Sequence, residues 1–99
     1  MNDVEKIKMG ILTRLSTVID PETGVDVLRM RLIENLVVSD RGHASYTFRP
    51  SSPFCPLAVI LAQSIKKAVD QVSGVTGQTI TVKDFLQAEE LTQMLNAAP

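Results

Sequence analysis

The chain has one cysteine, one histidine, no tryptophan and only three Phe and one Tyr among its 99 residues. A lone cysteine excludes an intrachain disulfide framework, and Cys55 cannot hold a metal within one chain by thiolates alone. A closed zinc site would need Cys55, His43 and carboxylates together. Charge of one sign is missing too. Ten basic and eleven acidic side chains sum to −1, which removes the strong basic field of a dedicated DNA or RNA binder. The longest uncharged apolar-rich run, Pro50 to Ile65, contains three prolines and does not read as a membrane span. The N-terminal stretch MNDVEKIKMGILTRLSTVID alternates charge with apolar residues, unlike a signal peptide. What is present, 44% hydrophobic and 21% charged residues, is the composition of a globular domain. A chain of this size buries roughly 65% of its extended surface on folding, enough for one modest core. The expectation is a single domain over residues 1–99, cytoplasmic and without a membrane partner.

Residues 2–19 read as a first helix. Val4, Ile7, Ile11, Leu15 and Val18 recur at three- or four-residue spacing, Leu12 and Ile19 widen the stripe, and Asp20-Pro21 ends it. Asn2 with Glu5 fits a capping box, and Gly10 weakens the middle of the helix. A strand is predicted at 33–39 and a second at 43–48, where Ala44, Tyr46 and Phe48 alternate with His43, Ser45 and Thr47. Asp40-Arg41-Gly42 between them supplies a tight reversal. After the proline-rich RPSSPFCP segment, Leu57, Leu61, Ile65, Ala68, Val69 and Val72 mark a second helix that Gly74 stops. Residues 79–83 form a short third strand. Asp84, with Gln87 at the matching box position, is placed to cap a last helix through Leu95.

The order α-β-β-α-β-α, with polar residues on one face of the strands, predicts an α+β fold. Its form is a two-layer α/β sandwich on a small three-stranded mixed sheet. The hairpin is expected to leave one face wet, and the position of the third strand is open to either side of it.

Cys55 immediately precedes Pro56, which is favoured at the first position of a helix. Orphan amides and the positive end of a helix lower a thiol pKa, whereas burial beside Phe54, Leu57 and Phe48 raises it. The alternative to a functional thiol is an ordinary buried cysteine that fills a gap in the core.

The pattern DPETG at Asp20 to Gly24, the run SSPFCP at Ser51 to Pro56 and the following LAVILAQSIKKAVDQVSGV resemble the small iron–sulfur cluster assembly domain family. That family is also catalogued as domain of unknown function 59 and includes PaaD-like and SufT-like proteins. The similarity runs from the first helix to Val82. It implies a cytosolic, non-enzymatic accessory factor in iron–sulfur protein maturation that binds iron or a cluster transiently, or docks a client, through Cys55. By the same resemblance Asp20 and Glu22 join Cys55 as metal-binding candidates. The implied partners are iron–sulfur assembly or recipient proteins. A homodimer is expected separately, because the small sheet leaves an edge and a face that a second copy could cover and one thiolate site is easier to complete with two copies. Arg29-Met30-Arg31-Leu32 stands where the family carries an aspartate-leucine-glycine-leucine turn. An arginine fits poorly where a glycine supplied positive φ, so a reshaped turn is expected. Phe54 replaces the family's glycine before the cysteine, and the family's frequent tryptophan-containing tail is missing.

Two rival functions stand beside this one. In the first, the chain is a non-catalytic protein-interaction domain in which Cys55 is structural. In the second, it is a single-thiol enzyme or redox protein, although no second cysteine forms a C-x-x-C and the one histidine is expected to be remote. Gly74-Val75-Thr76-Gly77 matches the G-x-x-G of nucleic-acid-clamping loops, but it follows a helix and precedes a strand and has no basic residue between its glycines, so a turn explains it better. Arg29, Arg31, Arg41 and Arg49 could gather near the hairpin ends, and Arg29 or Arg31 is expected to contact Asp20, Glu22 or Asp26. His43 is expected on the open face of the sheet.

Overall fold

The computed structural model describes residues 3–21, 23–50, 57–85 and 88–97. Its elements are α1 (Asp3–Leu15), β1 (Ile33–Val38), β2 (His43–Phe48), α2 (Leu57–Asp70), β3 (Gly77–Val82) and α3 (Ala88–Ala97). β1 and β2 pair antiparallel and β2 and β3 pair parallel, so the mixed sheet has the order β1-β2-β3 with β2 at its centre. The predicted α+β class, element order and mixed sheet are all present.

Parity along β2 decides which face is covered. Ala44, Tyr46 and Phe48 are buried, as are Ile80 and Val82 on β3, and they pack with Ile11 and Leu15 of α1 and Leu61, Ile65 and Val69 of α2. Thr79 and Thr81 on the other face are exposed, and His43 and Ser45 are half-buried. This is the wet face that the alternation predicts, except that Thr47, opposite Glu34, is buried.

β1 holds its own inward residues only through a bulge. The register pairs Ile33 with Phe48 and Glu34 with Thr47, then slips so that Val37 meets Ser45 and Val38 meets Ala44. The extra residue is accommodated at Asn35, whose φ is 55°, a left-handed value that asparagine tolerates better than most residues. Without the slip, the alternation would turn Val38 toward water and Val37 toward the core.

Two helix boundaries differ from the expected ones. α1 stops at Leu15 rather than reaching residue 19. The hydroxyls of Ser16 and Thr17 donate to the carbonyls of Thr13 and Arg14, both at 2.6 Å, and the backbone tightens to Thr17 N→Arg14 O and Val18 N→Leu15 O. Such local bonds compete with helix continuation. Leu12 and Ile19, expected on the apolar stripe, are partly exposed. Gly10 has a packing reason, since a Cβ there would lie 2.9 Å from Val72 Cγ1. The last helix begins at Ala88, and Asp84 does not cap it. Asp84 has φ 54° and binds Arg49 instead, whereas an N-cap takes an extended backbone. Asn2 and Gln87, the other halves of the two expected capping boxes, lie outside the described residues.

α2 is antiparallel to the strands it connects, as a β-α-β crossover requires. Its start therefore lies at the carboxyl end of β2 and β3. At the opposite end Gly42 has φ 84°, and a Cβ on it would sit 2.2 Å from the Gly74 carbonyl oxygen. Gly74, at φ 96°, ends the α2 segment against Ile7.

Candidate functional site

Four chain segments meet at the carboxyl end of the parallel β2–β3 pair. In open α/β sheets this edge is the usual place for a site, because the loops leaving parallel strands gather there. The first segment is a miniature hairpin after α1. Val27 N donates to Val18 O at 3.0 Å, Asp20 N to Val25 O at 2.9 Å, and Gly24 N to Asp20 O at 2.8 Å. Gly24 turns the hairpin at φ 72°. Asp20 is buried, 3% exposed, and its groups are engaged.

The second segment, residues 26–32, is a single helical turn ended by a Schellman motif. Arg31 N donates to Leu28 O at 3.1 Å and Leu32 N to Val27 O at 3.0 Å. Buried Val27 and Leu32 provide the apolar pair that accompanies this geometry. Arg31 occupies the position that glycine usually fills, with φ 58°. Arg31 nonetheless adopts the positive φ that suits a glycine. The hydrogen bonds that close the motif hold the backbone in the left-handed region, and arginine adopts it at a cost in strain of about 1 kcal/mol. Arg29 pairs with Asp26, Nε to Oδ1 at 3.7 Å, while its amide donates to Asp26 Oδ2 at 3.0 Å. The expected arginine–acid contact is therefore present, on Asp26.

The third segment leaves β2. Arg49 N donates to Leu32 O at 2.8 Å, which ties it to the Schellman turn, and Lys83 N donates to Phe48 O at 3.0 Å. The Arg49 guanidinium spans two acids, Glu34 at 3.2 Å and Asp84 at 2.9 Å. All three side chains are at least 31% exposed, so their value is directional rather than energetic. The fourth segment is the start of α2. Pro50, which is buried, and Leu57, the first residue of α2, bracket the run that contains Cys55. Cys55 and Glu22 lie outside the described residues. Among the described residues, no three His, Cys, Asp or Glu side chains are grouped to hold a metal.

The other sequence candidates lie elsewhere. His43 sits on the open face at the opposite end of the sheet, its Nε2 2.7 Å from Thr79 Oγ1. Arg41 is in the β1–β2 turn, so the four arginines do not gather at one place. Gly74 to Gly77 joins α2 to β3, the role of a helix terminator followed by a strand. An open cleft of about 830 Å³, lined in part by Lys6, Arg14, Arg41, Asp3 and Asp40, lies at this far end. Among the described residues, its lining includes neither histidine nor cysteine.

Sequence reasoning missed two groupings. One is the Glu34–Arg49–Asp84 clasp, whose members are far apart in the chain. The other is a partly buried polar chain. Tyr46 Oη donates to Gln78 Oε1 at 2.7 Å, and Gln78 Nε2 donates to Asp70 Oδ1 at 2.6 Å and to Lys66 O at 2.8 Å. Burial, reinforced by the Asp70 carboxylate, pushes the Tyr46 phenol well above its ordinary pKa. The only advance signal was a tyrosine at an inward strand position, since a buried hydroxyl needs a partner. No helix among the described residues is long and apolar enough to cross a membrane.

Comparisons with known proteins agree with this geometry. The family model described as iron–sulfur cluster assembly protein matches residues 8–82. An uncharacterized protein of Methanocaldococcus jannaschii is 31% identical over 88 residues, covering 89% of this chain and 93% of that protein. The Fe-S protein maturation auxiliary factor YitW of Bacillus subtilis is 35% identical over 65 residues, 66% of this chain and 64% of YitW. An Fe-S protein maturation auxiliary factor of Porphyromonas gingivalis is 29% identical over 100 residues, covering 94% and 95%. The crystal structure of a domain of unknown function 59 from Bacillus anthracis superposes with a TM-score of 0.72 at 25% identity, over 94% of this chain and 91% of that one. With three quarters of its length inside the family model and its fold matched almost throughout, the chain belongs to the iron–sulfur cluster assembly protein family, domain of unknown function 59.

Proposed function

We propose that this protein is a non-enzymatic accessory factor in iron–sulfur protein maturation whose working group is the Cys55 thiol. The observation that carries the reading is the coincidence of the family match with the site. Residues 8–82 include Cys55 and all four segments that converge at the carboxyl end of β2 and β3. Two relatives that bear the name Fe-S protein maturation auxiliary factor support it. Iron or a cluster is cargo here rather than a resident cofactor. One thiolate leaves most of an iron's coordination open, so the remaining ligands come from a recipient or assembly protein, a second copy, or carboxylates such as Asp20 and Glu22. Cys55 precedes α2 by two residues, and unpaired amides at a helix start favour a thiolate.

Anaerobic incubation with ferrous iron and sulfide tests the reading. The wild type is expected to develop sulfur-to-iron charge-transfer absorption that Cys55→Ser lacks. Identical spectra for the two proteins overturn a cluster-binding thiol. The rate of alkylation against pH supplies a second readout, since a working thiol reacts as a more acidic group than a cysteine in an unstructured peptide.

One observation favours the interaction-domain reading instead. Asp20 is buried and engaged, as expected of a carboxylate that builds a turn. If Cys55 alkylates only on unfolding, that reading replaces the first.

A further inference from the structure

The two outer strands of the sheet meet the hazard of an open edge in different ways. An edge strand presents unpaired N–H and C=O groups that template pairing with another chain, and charges, bulges or a covering element normally block it. β1 carries both Glu34 and the bulge at Asn35. β3, with the sequence GQTITV, has no charge, proline or bulge, and four of its six residues are β-branched. By composition it is the pairing-prone edge.

α3 covers it, and does so by imitating a strand. Ile80 N donates to Asn96 Oδ1 at 3.0 Å, and Asn96 Nδ2 donates back to Ile80 O at 2.8 Å. One turn earlier in the helix, Thr92 Oγ1 accepts from Val82 N at 2.9 Å. The carboxamide of Asn96 thus makes with Ile80 the donor–acceptor pair that a neighbouring peptide unit would make, and Thr92 takes up the next outward amide of β3, at Val82. Asn96 is held for this by a second bond from Nδ2 to Thr92 O at 2.8 Å, and Leu91 and Leu95 anchor the same helix in the core. Lys66 Nζ donates to Leu95 O and ties α2 to this anchor.

We infer that α3 is an edge guard, and that the contact it suppresses is pairing of β3 with β3 of a second copy of this chain. The strand is self-complementary about Ile80. An antiparallel two-fold pairing sets Thr79 opposite Thr81, Ile80 opposite Ile80 and Gln78 opposite Val82, with no like charges facing each other. The two sheets would continue as one of six strands. The helix and the second copy compete for the same main-chain groups, so the second copy gains access to β3 only when α3 is displaced.

The test uses full-length protein with Thr92→Val and Asn96→Ala together, compared with wild type by sedimentation over a micromolar dilution series and by amide hydrogen exchange. Wild type is expected to show no β3-mediated dimer, with the Ile80 and Val82 amides protected. Each side-chain bond is worth roughly a factor of five in an equilibrium. Losing three therefore favours the open edge by about a hundredfold per chain. The variant should dimerise, with protection at Ile80 and Val82 that rises with concentration. Adding Thr81→Lys, a charge on the solvent face of the edge, should restore the monomer. A folded variant that stays monomeric, or that dimerises with these two amides exchanging freely, overturns the inference. Rapid exchange of the Ile80 amide in wild type also overturns it. Should the double variant fail to fold, Asn96→Ala alone removes the bidentate clamp and carries the same two readouts.

Discussion

Arg31 shows how a residue with a Cβ can serve a turn whose geometry favours glycine. The Schellman bonds Arg31 N→Leu28 O and Leu32 N→Val27 O require a left-handed residue between them. Arginine supplies it at φ 58°, against the steric preference of any residue with a Cβ. Its side chain is exposed, so nothing in the core depends on it. Arg31→Gly is expected to raise stability by about 1 kcal/mol, measured as a higher denaturant midpoint at unchanged slope. No gain, or a loss, would mean that the guanidinium contributes something that offsets the strain. Arg49 is the second residue whose role lies in contacts rather than in type. It joins β1, β2 and the segment after β3 at the end where the Cys55 run departs.

Among the elements, β2 is the one on which the others depend, and its inward tyrosine illustrates the cost of a polar group there. Tyr46 is 3% exposed and its hydroxyl is satisfied by Gln78 of β3, which is in turn held by Asp70 and the Lys66 carbonyl of α2. The phenol's folded pKa lies above its unfolded value of about 10. Above that pH the unfolded chain releases a proton that the folded one keeps, so stability falls as pH rises past about 10. Tyr46→Phe should flatten this alkaline limb. At neutral pH it should cost about 1–2 kcal/mol, because the Gln78 carbonyl loses its donor. Denaturation midpoints at pH 7, 9 and 11 check both outcomes, and parallel curves for the two proteins would refute the assignment. The shortened α1 belongs to this scale as well. Its apolar spacing runs on to Val18 and Ile19, but Ser16 and Thr17 bond back to the helix and the chain leaves it to build the Asp20 hairpin.

The whole molecule rests on one core, made where α1 and α2 cover a single face of the sheet, with Phe48 fully buried at its centre. Removing that ring should cost about 3–5 kcal/mol. Domains of this size have about 5–15 kcal/mol in total, so Phe48→Ala should leave a marginal protein, with a large drop in thermal midpoint seen by calorimetry. A change of only a few degrees would mean that the core is less unified than its packing indicates. How much of this was legible beforehand follows from which forces are local. The alternation at Ala44, Tyr46 and Phe48, the apolar stripe of α2 and the glycine at position 42 determined the hairpin, the helix and the wet face, because period and steric limits act on near neighbours in the chain. The DPETG and SSPFCP motifs pointed to the family for the same reason, since a motif is a local pattern. Strand order, the bulge that turns Val38 inward, the clasp of Glu34 and Asp84 on Arg49 and the placement of Asn96 on β3 were decided by tertiary structure alone. Each joins groups many residues apart, and their meeting is selected by core packing and by the need of every buried main-chain group for a partner, neither of which leaves a periodic trace in the sequence.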